Sequence, residues 1–197
     1  MLVALKMSPN DLASHQEKIY DCDDHLGVAF SGLTADARYI NKFMRNESLN
    51  YWYAHGSQHP VERMVNKLAR KTQVKTCHPS KRPFGVGLLI AGVDEQGTHL
   101  FETCPSANFY EYNAMAIGAK CQSAKTYLEK NFENFTNSSR DELITHGIKA
   151  LRASAAEQEL TIHNVSVAVV SAEEKFHLLS SDDLQRFISS SNDNMEM

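Results

Sequence analysis

Strand-like and helix-like hydrophobic patterns come in groups along this chain of 197 residues, and they do not alternate. Strand patterns open the chain and two helical patterns follow. Further strand patterns occupy the middle, two more helical patterns come next, and strand patterns return. A parallel, doubly wound sheet needs a crossover helix between successive strands, so its elements alternate. The grouped order therefore predicts an α+β fold in which antiparallel sheets are covered by helices.

The individual elements follow from hydrophobic periodicity. The aperiodic, aromatic stretch 49–59 is predicted to be a connection, and residues 94–97 a hairpin turn. Strands are predicted where apolar residues alternate or run continuously, at 2–6, 26–30, 85–92, 98–103, 111–117 and 165–169, with a short strand through 176–178. Helices are predicted where apolar residues recur every three or four positions, at 33–44, 60–68, 117–135 and 143–155.

One domain is predicted over residues 1–188, because no internal repeat and no linker-like segment interrupts these elements. From Ser189 the sequence Ser-Ser-Ser-Asn-Asp-Asn offers no apolar side chain for burial, so we expect a disordered polar tail at 189–197. At the other end, Met1 leads directly into the strand-like run Leu-Val-Ala-Leu-Lys. We therefore expect that a segment preceding this strand is missing from the chain.

Charge and hydropathy argue against several classes of function. A formal net charge of -4 and a pI of 6.1 provide no basic surface for nucleic acid. The longest apolar stretch, 86–93, contains two glycines and is too short to span a bilayer, so no membrane partner is expected. Four cysteines are widely scattered without a Cys-x-x-Cys pair, which is typical of reduced thiols in the cytoplasm or nucleus.

The polar residues provide no recognisable cofactor, metal or catalytic motif, and none of these groups is expected. Cys22 and His25 have a Cys-x-x-His spacing, but no second ligand pair stands at the interval that a metal site requires. The histidines are therefore expected to be structural or exposed. Residues 85–90 begin like a dinucleotide loop, but they lack its third glycine and lie in a predicted strand. The basic residues within 67–71 are expected to form the solvated face of one helix.

Six sequence blocks, taken together and in order, resemble the proteasome alpha subunits. The first is Ser-Gly-Leu-Thr-Ala-Asp-Ala-Arg at 31–38, which is similar to a helix-opening motif of that family. The second, Arg-Pro-Phe-Gly-Val-Gly followed by Leu-Leu-Ile-Ala-Gly at 82–92, is similar to the strand entry that distinguishes alpha from beta subunits. The remaining blocks lie at 104–108, 116–119, 123–129, and 151–153 with 164–170.

The resemblance covers residues 2–188, and 81–92 and 103–108 are most similar to the alpha type 1 branch. It implies a four-layer α-β-β-α sandwich of the N-terminal nucleophile hydrolase type. It also implies a non-catalytic structural subunit of the outer alpha ring of the 20S proteasome. Such a subunit scaffolds the beta ring, restricts substrate entry and docks regulatory particles in ubiquitin-dependent protein degradation. The implied partners are other alpha subunits of a heteroheptameric ring, beta-ring subunits and activators, in the cytoplasm and nucleus.

Three residues are candidates for contacts with these partners. By resemblance, Lys18 in Gln-Glu-Lys-Ile-Tyr matches the alpha-subunit lysine that lines a pocket between neighbours and receives an activator's C-terminal carboxylate. An ammonium group suits that ligand, although a surface lysine in a polar turn is the alternative. Asp36 and Arg38 stand two apart on a helix and do not face each other, so each is expected to bond outside its own helix. By resemblance they lie near subunit contacts, and a solvated helix start is the alternative.

Catalysis is not expected of this chain. Beta subunits use an N-terminal threonine whose own amine acts as the base, whereas this chain begins with methionine and has no Gly-Thr processing site before its first strand. Lys6, on that strand, is then expected to be structural. We also expect the family's N-terminal helix and first strands to be missing. Two alternatives stay open: a catalytic threonine hydrolase of the same fold, and a truncated paralogue or isoform that acts as an interaction module outside the ring.

Overall fold

The computed structural model describes residues 1–6, 12, 14, 16–155 and 159–193. The chain divides into two compact units. The smaller-sheet unit comprises Met1–Ile19, Ala114–Val169 and His177–Met197, and the larger-sheet unit comprises Tyr20–Asn113 and Val170–Phe176. Each unit combines strands with helices, so the predicted α+β class is confirmed. A single domain over 1–188 stays a prediction.

The larger-sheet unit contains a five-stranded sheet in the order β2-β3-β4-β5-β6. From β3 onwards, each strand pairs antiparallel with the next. Residues 88–92 of the central strand β4 are all buried, which explains why its apolar residues run continuously. The strands are β2 (Ile19–Asp23), β3 (Leu26–Gly32), β4 (Val86–Asp94), β5 (Gly97–Thr103) and β6 (Phe109–Glu111).

Two helices belong to this unit, α1 (Thr34–His55) and α2 (Val61–Cys77). Their buried apolar residues recur every three or four positions, as expected of a helix that packs on one face. These residues form one apolar cluster with side chains of β3, β4 and β5. The members from the two helices are Ala37, Ile40, Met44, Val61, Met64, Val65 and Leu68.

The hairpin predicted at 94–97 is confirmed, and it also positions α2. Asp94 pairs with Gly97 across a two-residue loop. Gly97 has a φ of 126°, a backbone conformation that residues with a Cβ atom rarely adopt. The Asp94 carboxylate accepts the backbone N–H of Gln96 at 2.9 Å and that of Val61 at 3.0 Å. One side chain therefore stabilises both the hairpin turn and the first turn of α2.

The smaller-sheet unit contains an antiparallel sheet in the order β1-β7-β8, with β1 (Leu2–Leu5), β7 (Val165–Val169) and β8 (His177–Leu178). Its helices are α3 (Cys121–Phe135), α4 (Arg140–Ala155) and α5 (Ser181–Asp193). Among the residues described above, no helix is long and apolar enough to cross a membrane. The apolar core of this unit includes Ile144, Ile148, Val165, Val167, Val169, Leu184 and Ile188.

The connection predicted at 49–59 is wrong over 49–55, because α1 continues to His55. The helix ends at Gly56, which has a φ of 68° and donates its N–H to the Trp52 carbonyl at 2.8 Å. A glycine in the left-handed region is a common helix terminator. Leu49, Trp52 and Tyr53 recur at helical spacing but are exposed, so the last turns of α1 do not continue its buried apolar stripe.

The strand predicted at 111–117 and the helix start predicted at 117 are also wrong. β6 ends at Glu111 and α3 begins at Cys121. Between them, Gly118 has a φ of 104° and Lys120 a φ of 56°. A right-handed helix does not continue through residues of positive φ, so α3 begins only after Lys120.

Helix α5 has no counterpart among the predicted elements. Ser180 caps it, because its hydroxyl donates to Asp183 Oδ2 at 2.7 Å and accepts the Asp183 N–H at 3.3 Å. Leu184 and Ile188 are buried one turn apart. The helix runs to Asp193, so the disordered tail predicted from residue 189 is wrong over 189–193. Residues 194–197 lie outside the described part of the chain.

Candidate functional site

Lys18 lies immediately before β2. The next residue, Ile19, is buried, whereas Lys18 is half-buried. The carboxylate of Glu17 pairs with Lys6 at 3.1 Å, which gives Lys6 a structural role. The Lys18 ammonium forms no ion pair or hydrogen bond with the residues that the structure describes. Lys18 is therefore a cation whose charge is not neutralised within that part of the chain.

Asp36 holds the segment that precedes β4 against the first turn of α1. The residue is only 7% exposed. Its carboxylate accepts two hydrogen bonds from the Arg82 guanidinium, at 2.7 and 2.8 Å, and one from the Gly85 N–H at 2.9 Å. The hydrogen bonds from Arg82 are the main cause that lowers the pKa of Asp36 below its ordinary value of 3.8. Asp36 is therefore an anion at neutral pH.

The two segments are also in close backbone contact at residue 85. The Leu33 N–H donates to the Gly85 carbonyl at 2.8 Å. A Cβ atom at Gly85 would lie 2.7 Å from Leu33 Cδ1. The anionic Asp36 also stands in the first turn of α1, at the positive end of the helix dipole. Two motifs that are distant in sequence, 31–38 and 82–87, are thus joined by an ion pair, by hydrogen bonds to Gly85, and by the pairing of β3 with β4.

The structure does not bring Asp36 and Arg38 together. Asp36 bonds outside its own helix, as their spacing predicts, and its partners belong to the same chain. Arg38 is exposed and makes no ion pair or hydrogen bond with any described residue. A role at a subunit interface stays a prediction for both residues.

Two lysines of α2 pack on aromatic rings. The Lys71 Nζ lies 4.2 Å from the Phe43 ring centroid, and the Lys75 Nζ lies 4.1 Å from that of Phe84. Each Nζ also lies 5.2 Å from the centroid of Tyr39. Such cation–π contacts link α2 to α1 and to the segment before β4. The solvated face predicted for 67–71 is therefore wrong for Lys71, which is half-buried.

Cys22 and His25, which share a metal-like spacing, have different partners. The buried Cys22 thiol donates to Asn41 Oδ1 at 3.0 Å, and burial raises its pKa above the usual range. His25 Nε2 lies 2.9 Å from the His59 carbonyl oxygen; because a carbonyl only accepts, this nitrogen carries the proton. Its Nδ1 faces Asp23 Oδ2 at 3.4 Å. In the described ranges, no three His, Cys, Asp or Glu side chains are placed so that they could hold a metal ion.

His99 bridges two carboxylates at the edge of the larger sheet. Its Nε2 lies 3.0 Å from Asp94 Oδ1, and its Nδ1 lies 2.6 Å from Glu111 Oε1. Burial by itself lowers the pKa of His99, but the hydrogen bonds to Glu111 and Asp94 outweigh it and hold the pKa above 6.5. The pairing of β5 with β6 places Glu111 opposite Phe101, and the Glu111 side chain reaches His99, two residues away on β5. The strand predicted at 111–117 gave no sign of this contact.

A cleft of about 490 Å³ opens between the last turns of α1 and the first turns of α2. Its basic residues stand four and three apart on α2, which places them on one side of that helix. This spacing can be read from the sequence. The residues of α1 that face it cannot, because 49–59 was predicted to be a connection. The cleft is lined by Tyr51, His55, His59, Arg63, Asn66, Lys67 and Arg70.

Comparison with known proteins identifies the class to which this fold and these motifs belong. Residues 1–170 match the family model described as proteasome subunit. The match covers most of the chain, including the joined motifs 31–38 and 82–87. This chain belongs to the proteasome subunit family.

Within that family the chain is similar to alpha-type subunits. It is 48% identical to the proteasome subunit alpha type-1 of Dictyostelium discoideum, over 95% of this chain and 77% of that protein. It is 40% identical to the alpha type-1 subunit of Drosophila melanogaster, over 98% of this chain and 71% of that protein. It is 41% identical to the probable alpha type-6 subunit of Schizosaccharomyces pombe, over 95% and 70%. The predicted resemblance is confirmed, and membership of the family implies assembly with other proteasome subunits.

Proposed function

We propose that this chain is a non-catalytic structural subunit of the outer alpha ring of the 20S proteasome. In this role it scaffolds the beta ring, restricts substrate entry and docks regulatory particles, and so supports ubiquitin-dependent protein degradation in the cytoplasm and nucleus. Its partners are the other alpha subunits of a heteroheptameric ring, beta-ring subunits and activators. The observation that carries the proposal is 48% identity to an alpha type-1 subunit across 95% of the chain.

The proposal includes the four-layer α-β-β-α sandwich for the chain. Each compact unit supplies one sheet and its own helices, α1 and α2 in one unit and α3, α4 and α5 in the other. Two sheets and two groups of helices are the elements that such a sandwich requires. An experimental structure of the assembled particle tests this architecture directly.

The absence of catalysis is supported by similarity to alpha-type subunits and by the surroundings of Lys6. The Lys6 ammonium pairs with the Glu17 carboxylate at 3.1 Å, which accounts for this lysine by a structural role. Fluorogenic peptides incubated with the purified chain should therefore not be hydrolysed. Hydrolysis that persists after proteasome contaminants are removed would contradict this part of the proposal.

Lys18 is the residue that we assign to activator docking. Its half-buried ammonium has no anionic partner in the described chain, so its charge is available for a ligand. A C-terminal carboxylate offers two oxygens to this single cation, and hydrogen bonds between charged groups are stronger than neutral ones. In the proposed ring, a neighbouring alpha subunit completes the pocket around this contact.

Assembly into the particle is the decisive experiment. An epitope-tagged full chain is produced in cells, and its lysate is separated on a glycerol gradient and on native gels. We expect the tagged chain to sediment with the 20S particle and to be cross-linked to other alpha subunits and to beta subunits. The tag fused to an unrelated protein serves as the control. A chain found only in free fractions would favour an interaction module outside the ring and overturn the proposal.

A further inference from the structure

The solvent-facing side of α1 carries cations in its first half and apolar side chains near its end. Arg38 and Lys42 are exposed, and neither forms an ion pair or hydrogen bond with the described residues. Further along the helix, three apolar residues are 66%, 59% and 88% exposed, namely Leu49, Trp52 and Tyr53. Residues spaced alternately by four and three positions line one side of a helix. The α1 stripe, as we call this side, consists of Arg38, Lys42, Arg45, Leu49, Trp52 and Tyr53.

The apolar half of the α1 stripe is large for a surface that faces water. A buried aromatic residue covers about 150–250 Å². With the exposed fractions above, Leu49, Trp52 and Tyr53 together present about 400 Å². Contiguous apolar patches of this size on a monomer often mark interaction sites, and aromatic residues are enriched in interface cores. The patch therefore indicates a surface that another molecule covers.

The α1 stripe is complementary to the same stripe of a second copy. When two α1 helices cross antiparallel at residue 45, residue 38 of each copy lies opposite residue 52 of the other, because both stand seven positions from the crossing. Residues 42 and 49 meet in the same way. The cationic half of one copy therefore contacts the apolar half of the other, up to about 10 Å on either side of the crossing. A parallel arrangement would instead place cations against cations.

The chemistry of these pairs favours contact. A guanidinium over the face of an indole makes a cation–π contact, so Arg38 suits the Trp52 ring of the other copy. The Lys42 side chain has a long apolar stem that can cover Leu49. Of the cations in the stripe, only the two copies of Arg45 face each other, and each is ion-paired with Asp21 of its own chain. The antiparallel arrangement therefore brings no unneutralised like charges together.

We propose that the free chain associates with a second copy of itself through the α1 stripe, in an antiparallel dimer whose two-fold axis passes near Arg45. The inference concerns the free chain, goes beyond the proposed function and does not depend on it. The apolar patches of two copies, with the stems of the cations, bury about 1,000 Å², which is at the low end for specific complexes. We therefore expect a weak dimer that dissociates on dilution into the micromolar range.

The first test uses Trp52, the single tryptophan of the chain, as a reporter. Its emission is recorded in front-face geometry from a few micromolar to several hundred micromolar, alongside sedimentation velocity. We expect a blue shift as the indole leaves water, together with a rise towards the sedimentation coefficient of a dimer. The variant Arg38→Gln/Lys42→Gln should weaken this association about tenfold or more, because each copy loses two contacts. The matched control Arg63→Gln/Arg70→Gln removes two exposed cations from α2 and should leave it unchanged.

A charge exchange tests the antiparallel register. The variant Arg38→Glu/Lys42→Glu keeps its tryptophan, whereas Trp52→Lys/Tyr53→Lys has none, and all the introduced residues are good helix formers. Neither variant should associate with itself, since the first lacks the cations and the second places cations opposite cations. In the mixture, the introduced glutamates of one variant face the introduced lysines of the other. We therefore expect the emission of the first variant to shift to the blue only when the second is added.

Several results would overturn the proposal. One is a wild-type chain that stays monomeric over the whole concentration range. Another is an association that the loss of Arg38 and Lys42 leaves unchanged, or that the α2 control weakens equally, because either would show apolar or diffuse charge attraction without this pairing. A mixture of the two charge-exchange variants that shows no blue shift would exclude the antiparallel register.

Discussion

Removal of the Asp36 carboxylate should destabilise the larger-sheet unit, although the substitution deletes only a few atoms. The variant Asp36→Ala deletes the acceptor of three hydrogen bonds, two from Arg82 and one from the Gly85 N–H. The side chain is otherwise small, so little apolar contact is lost with it. The perturbation therefore isolates the polar link between α1 and the segment that leads into β4.

The magnitude follows from how exposed each partner is. Without the Asp36 carboxylate, the Gly85 N–H loses the acceptor of a part-buried hydrogen bond, which costs about 1–3 kcal/mol. The Arg82 side chain is 63% exposed, so water replaces most of what it loses, and the ion pair adds little to this cost. The free energy of unfolding should therefore fall by about 1–3 kcal/mol, which for a chain of this size corresponds to a Tm lower by about 2–12 °C.

The assay is urea denaturation followed by circular dichroism, with thermal melting as a second measurement. Arg38→Ala is the matched control, because Arg38 lies in the same helical turn but has no described partner; we expect a change within about 0.5 kcal/mol. Asp36→Asn keeps an acceptor for the Gly85 N–H and should therefore lose less stability than Asp36→Ala. Equal losses for Asp36→Ala and the Arg38 control would refute the reasoning.

The pH dependence of this pair provides an independent check. The pKa of Asp36 is lower in the folded chain than its ordinary value of 3.8. Its contribution to stability is therefore fully present above pH 3.8 and is lost as the pH falls through the folded value. The stability difference between the wild type and Asp36→Asn should be constant near neutral pH and should shrink only below 3.8. A difference that declines between neutral pH and pH 5 would contradict the assignment, where 5 is about one unit above the ordinary value.

Three further outcomes test other parts of the structure. In reconstituted particles, Lys18→Ala should weaken binding of an activator's C-terminal peptide about tenfold; an unchanged affinity would show that this lysine does not contact the peptide. The pKa of His99 is above 6.5 in the folded chain, so the stability advantage of the wild type over His99→Gln should be full below pH 6.5 and should decline as the pH rises through the folded value. Urea titrations on both sides of 6.5 check this, and an advantage that grows with pH would contradict it. The exposed Cys77 thiol, whose pKa is lowered chiefly by its hydrogen bond with the adjacent threonine, should be alkylated by iodoacetamide well before the buried Cys22. Peptide mass spectrometry over time measures the order, and earlier labelling of Cys22 would show that the protein opens around it.

Local sequence signals were sufficient for much of the fold. The strands β1, β3, β4, β5 and β7 correspond to predicted strands, and α2 and α4 to predicted helices. Apolar periodicity and the hairpin turn at 94–97 act over neighbouring residues, so a single sequence contains them completely. The order of the motif blocks was also sufficient to identify the family, which the comparisons confirm.

The elements that sequence reasoning missed depend on backbone conformation or on packing. The end of α1 is set by the left-handed Gly56, and the interval before α3 by positive φ at Gly118 and Lys120. Helix α5 has few apolar residues, and the burial of Leu184 and Ile188 in the smaller-sheet core accompanies its formation. The residues against which Leu184 and Ile188 pack are distant in sequence, and two apolar residues in one short segment are too few to show a helical period.

By itself, the sequence determined which residues carry charge and which family motifs contain them, among them Lys18, Asp36 and Arg38. Only the tertiary structure decided what these charges do. It placed Asp36 against Arg82, 46 residues away, left Arg38 exposed, and arranged the basic side of α2 opposite the end of α1. A hydrogen bond or ion pair requires atoms within about 3 Å. That distance is set by the path of the folded chain, which spacing along the sequence does not encode.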